Sequence, residues 1–146
     1  MGDDMSMEHA FDRLKKSAKD DAEALAARFL QVNADMTGMI ERAGILIEYE
    51  RERDHLYMTL GEPREGMALT VGHLVVLADP ETLEFIGFEI PDFKKAVETD
   101  ALKEWARILP FIEWQPVVHI PPAAHNDEVT FPREIAEGVQ RELVHV

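Results

Sequence analysis

Imidazole and carboxylate groups crowd one short stretch of the chain, at His119, His125, Asp127 and Glu128. Three such groups converging around an open position could bind zinc or manganese. Their spacing follows neither helical nor strand logic, and Pro121-Pro122 extends the backbone between the two histidines. His119, His125 and Asp127 are the candidate metal ligands. The plainer reading is a polar loop that contains histidine. A second grouping, Glu52, Asp54 and His55, lies in a tight turn, with Tyr57 two residues on. Asp54 could orient His55 as a general base. Adjacent strand residues point to opposite faces, however, so the two should diverge. Asp54 is then expected to accept backbone N–H bonds, as aspartate commonly does in turns.

Other chemistries find less support. The only serines, Ser6 and Ser17, lie in a helical pattern with no nucleophile-elbow context. Gly61 and Gly66 are accompanied by Glu62 and Glu65, which would repel a phosphate. Glu48 and Glu50 share one strand face, where solvent-facing carboxylates are ordinary. No catalytic residue and no cofactor is assigned. Trp105, Phe111 and Trp114 form the one aromatic cluster. It could line an apolar pocket, form an interface, or join a helix to the core.

The chain of 146 residues carries 29 acidic and 15 basic side chains, a net charge of −14. No basic block interrupts this field, so nucleic-acid binding is not expected. The solvated face Arg13, Lys15, Lys16 and Lys19 is too small to change that reading. There are no cysteines, which removes thiolate chemistry and fits a reducing compartment. No apolar run is long enough to span a membrane, and no secretory signal follows Met1-Gly2-Asp3-Asp4. A cytoplasmic protein without membrane contact is expected.

Residues 1–44 carry an apolar residue every third or fourth position: Met7, Phe11, Leu14, Ala18, Ala22, Leu25, Phe29, Val32, Met36, Met39 and Ala43. One helix over this stretch would reach roughly 55 Å at 1.5 Å per residue. A globule of this length is only about 35–40 Å across. The helix must therefore bend back, with Asn33-Ala34-Asp35 as a break, or shelter its stripe on another subunit. The expectation is a homodimer joined through Phe11, Leu14, Leu25, Phe29, Val32 and Met36. The rival is a helix layer covering the chain's own sheet.

From Ile45 the period changes to two, giving strands near Ile45–Glu50 and Leu56–Leu60. Met67–Val71 could add an edge strand, and His73–Ala78 suits a strand covered on both faces. Asp79-Pro80-Glu81-Thr82 has the chemistry of a type I turn. Alternation slips in Leu83–Ile90 at Gly87, which suits either a bulge or burial on both sides. A helix is expected from about Phe93 or Lys94 to Leu109, stopped by Pro110. Val117–Ile120 could be a short strand. Pro132 suits the first turn of a final helix reaching about Val144.

Two stretches, Tyr49-Glu50-Arg51-Glu52-Arg53-Asp54-His55-Leu56-Tyr57 and Ile86-Gly87-Phe88-Glu89-Ile90, resemble the first hairpin and last strand of a small prokaryotic family, domain of unknown function 2283. Leu74 to Ala78 falls where that family has its middle strand. The resemblance covers residues 45–93. Glu50 stands where the family has aspartate, and Leu83 where it has a turn glycine. It implies a small antiparallel sheet and no assigned activity.

The expected fold is α+β: an antiparallel β-meander of about four strands, with a long N-terminal helix or helical hairpin and C-terminal helices. Residues 1–44 form the helical region, 45–93 the sheet, and 94–146 a mixed region packed on it, as one unit. The expected function is a non-catalytic structural or protein-interaction module that self-associates through its N-terminal helix, with another protein as a possible partner. The alternative is a ligand-binding protein or metal-dependent enzyme with its site in the C-terminal third.

Overall fold

The computed structural model describes residues 23–122 and 130–144. Helix α1 occupies residues 23–32 and α2 spans Met36–Ala43, with Asn33-Ala34-Asp35 forming the turn between them. The helical run is thus broken where its polar residues predicted. Asp35 caps α2 by accepting from the Gly38 amide, and Gly44 closes it by donating to the Ile40 carbonyl at 2.8 Å.

Six strands follow, not about four: β1 (Ile45–Glu50), β2 (His55–Leu60), β3 (Met67–Val71), β4 (Leu74–Ala78), β5 (Phe85–Ile90) and β6 (Val117–Ile120). They form one antiparallel sheet in the order β3-β4-β5-β2-β1-β6. It is not a simple meander, because β5 lies against β2 and places the β3–β4 hairpin at one edge. The extra strands are the two edges, whose short runs carry little periodic signal.

The slip at Gly87 is a bulge: the β4–β5 register shifts between Leu77 and Ala78, leaving Ile86 unmatched. A Cβ on Gly87 would lie 2.1 Å from the Met58 carbonyl oxygen, so only glycine permits that approach of β5 to β2. Nearly all of β5 is buried on both sides as well, so both expectations for this strand hold together. β4 alternates between buried and half-buried, so it is fully covered on only one face.

Beyond the sheet, the expected helix to Leu109 is two pieces, a turn of helix, α3 (Phe93–Ala96), and a 3₁₀ helix at Asp100–Ile108; a further helix, α4 (Leu109–Trp114), starts where it should have ended. Pro110 lies in the first turn of α4 and does not stop a helix before it. A proline there loses no bond, since first-turn amides have no partner within the helix. Helix α5 (Thr130–Val144) ends the described chain, with Pro132 near its start.

Apolar side chains from the helices and one sheet face make a single core. Phe29, Met36 and Ile40 enter from α1 and α2, Trp105 from the 3₁₀ helix, and Ile135, Ala136 and Val139 from α5. Trp105 sits edge-on to Phe88, with ring centroids 4.9 Å apart. Among the described residues, Asn33 is the buried polar exception at 0% exposure. Its Nδ2 donates to the carbonyls of Phe29 and Leu83, both at 2.8 Å, and its Oδ1 accepts from the Phe85 amide at 2.7 Å. One amide therefore closes α1 and fastens it to Leu83 and Phe85, where the turn enters β5.

That turn needs fastening. Leu83 has φ 65°, a left-handed conformation that costs a leucine on the order of 1 kcal/mol or more. Asp79 shapes the turn by accepting from the amides of Glu81 (2.8 Å) and Thr82 (3.1 Å). Replacing Asn33 with alanine strands the Leu83 carbonyl and the Phe85 amide away from water, at about 1–3 kcal/mol for each such group. The expected loss for Asn33→Ala is about 3 kcal/mol in urea unfolding. A loss under about 1 kcal/mol would show that the side chain is not a tie.

Candidate functional site

The β1–β2 turn divides its reactive residues between two environments. Asp54 has φ 51° and turns toward α3. Its carbonyl accepts from the Phe93 amide at 2.9 Å, and its carboxylate accepts from the Lys94 amide at 3.1 Å. The Tyr49 hydroxyl donates to the same carboxylate. Tyr49 is buried and lies edge-on to Phe93 at 5.9 Å. Asp54 is thus fully engaged in docking the hairpin to α3.

His55 stands on the other sheet face, stacked on Tyr57 with ring centroids 4.3 Å apart. The two neighbours diverge as alternation requires, and Asp54 does not orient the imidazole. Glu50 lies opposite His55 in register, and Tyr57 lies between Glu48 and Glu89. His55 Nε2 is buried, has no hydrogen-bond partner among the described residues, and stands 3.8 Å from Glu89 Oε1. The arrangement is an imidazole and a phenol packed flat on an open sheet, fringed by carboxylates. Among the described residues, no three histidine, aspartate or glutamate side chains gather in a way that could hold a metal ion.

The other sequence candidates fall in different places. His119 lies on the exposed side of edge strand β6, opposite Leu46. His125, Asp127 and Glu128 lie outside the described residues, as do Phe11 and Leu14. Of the remaining stripe residues, Phe29 and Met36 are 0% and 1% exposed in the chain's own core. α1 and α2 use them to cover the chain's own sheet. Leu25 is half-buried, and Val32 is 41% exposed.

The aromatic cluster separates as well. Trp105 belongs to the core, whereas Phe111 is 50% and Trp114 85% exposed. Ile112 is the buried residue of α4, so Phe111 and Trp114, three positions apart, share an outward face. Val117, 51% exposed, begins β6 just beyond them. Fixed backbone presents this surface. The Tyr49 amide donates to the Pro116 carbonyl at 2.8 Å, Arg51 donates to the Glu113 carbonyl, and Lys94 pairs with Glu113 at 3.0 Å. The sequence grouped all three aromatics because it could not show that Pro110 starts a new helix and resets the phase.

No family model, no curated protein and no solved structure matches the chain. Among the described residues, no helix is long and apolar enough to cross a membrane.

Two predictions follow from these environments. Burial raises Tyr49 above the ordinary 10.0, and Asp54 adds to the shift by hydrogen bond and charge. Burial also raises Tyr57, helped by Glu50 and Glu89. Folding thus favours both protonated phenols. Their contribution is complete below about pH 10 and is lost as pH rises through the raised folded values. These are the chain's only tyrosines. Tyr49 should therefore stay protonated near pH 10 in the folded chain, and Tyr57 should ionise later than a free phenol. Ionisation of Tyr49 at pH 10 in folded protein would contradict its burial. Separately, His55→Phe keeps the stack on Tyr57 and removes the unpaired Nε2. It should leave stability unchanged or raise it by up to about 1 kcal/mol in thermal melts. A loss above about 1 kcal/mol would mean the nitrogen has a partner in solution.

Proposed function

We propose that the protein is a non-catalytic protein-interaction module that self-associates and also receives a second protein. The observation that carries this reading is the aromatic face of α4. Trp114 is 85% exposed beside Phe111, on an otherwise heavily charged chain. Exposed tryptophan on fixed backbone is the composition of an interaction hot spot, where a few aromatic anchors supply most of the binding energy. His55, the best-placed imidazole, has its neighbouring aspartate committed to the hairpin dock and no nucleophile beside it.

The likeness of residues 45–93 to domain of unknown function 2283 is part of the same proposal. It is supported by Leu83, which adopts φ 65° at the position where that family has a turn glycine. The alternative, a metal-dependent or ligand-binding site in the C-terminal third, has His119 in its favour as an exposed imidazole on β6.

The test compares the wild-type chain with a Phe111→Ser, Trp114→Ser variant. Both side chains are exposed, so the variant should melt as the wild type does. A protein retained by the immobilised wild type, then purified, should bind the variant at least about thirtyfold more weakly, the loss of one hot spot. Equal binding to both chains would overturn the assignment of this face.

A further inference from the structure

The two edges of the sheet are built differently. β6 is four residues long and is bracketed by Pro116 on one side and Pro121-Pro122 on the other. Prolines at an edge blunt it against pairing with another chain. β3 has no such protection. Its five residues, Met67 to Val71, include no proline and no charge, in a chain of net charge −14. Among the described residues, nothing pairs with its outer edge.

The groups that edge offers follow from the hairpin. Gly72, at φ 59°, and His73 make a two-residue turn between Val71 and Leu74. In such a turn the bracketing residues form the hydrogen-bonded pair. Bonding alternates from there, so Val71, Leu69 and Met67 direct their amides and carbonyls at β4. Ala68 and Thr70 direct theirs at the open edge.

We infer that β3 pairs antiparallel with β3 of a second copy, making a twelve-stranded sheet across a two-fold axis at Leu69. This deepens the self-association in the proposed function and rests on that reading. In this register Ala68 faces Thr70 of the partner subunit, and the two such pairs exchange four backbone hydrogen bonds. Half-buried Met67 and Leu69 gain cover along the sheet face. Glu65 lies opposite the partner subunit's His73, so the ends of the joint bring carboxylate to imidazole. No like charges meet across the strands, as self-pairing by an isologous contact requires.

The test is light scattering of the full chain across micromolar concentrations, with three variants. The wild type should approach twice the 16.6 kDa chain mass. Thr70→Pro removes one outward amide, and Ala68→Lys places a charge on the edge. Both side chains are exposed, and both variants should keep the wild-type circular-dichroism spectrum and a cooperative melt while remaining monomeric. Trp114→Ser should stay dimeric. A dimeric wild type whose Ala68→Lys and Thr70→Pro variants also dimerise would overturn the β3 joint and leave self-association standing. A wild type that is monomeric throughout would overturn both.

Discussion

One buried amide organises the molecule. Asn33 has two donors and an acceptor to satisfy, and it satisfies them on Phe29, Leu83 and Phe85, residues of two segments about fifty positions apart. A buried amide tolerates few alternative placements, because each lost bond leaves a desolvated group. It therefore fixes the register between the helical layer and the bulged end of β5 in a way that greasy contact alone would not. The strained turn at Leu83 persists because its exit into β5 is held by Asn33 and its amide by the Asp79 carbonyl.

This tie decides what surface is left over. With α1 locked against the β4–β5 turn, Phe29 faces inward, and Met36 follows from α2. Two residues of the apolar stripe are thus taken up by the chain's own sheet. Among the described residues, exposed apolar side chains include Phe111 and Trp114 on the outward face of α4, and strand β3 keeps an unblunted edge. The α4 face is proposed to receive a dissimilar protein, and the β3 edge a copy of the chain. The same economy explains the β1–β2 turn, where Asp54 serves as a dock for α3 and leaves His55 without an orienting carboxylate.

Much of the framework was legible from residue patterning. The period change at Ile45, the Asp79-Pro80 turn and the break at Asn33 all have local causes, and each appears where its chemistry placed it. The slip at Gly87 marked the bulge because only glycine allows that backbone approach. The edges were harder to read, since five residues of β3 and four of β6 are too few to show a period. The region after Phe93 misled because Pro110 can begin a helix as readily as stop one. The stripe at 25–36 showed that apolar residues needed shelter but not whose sheet provides it. Nothing in the spacing singled out Asn33 as more than a break, because its partners at Leu83 and Phe85 lie far along the chain.

The most direct measurement of this account is amide hydrogen exchange, resolved by residue, on the wild-type chain at high and low concentration. The Phe85 amide should be protected at both, held by Asn33. The amides of Ala68 and Thr70 should be protected when concentrated and exposed on dilution, while that of Leu69, bonded within the hairpin, should not change. Rapid exchange at Phe85, or free exchange of Ala68 and Thr70 at the highest concentration, would contradict it.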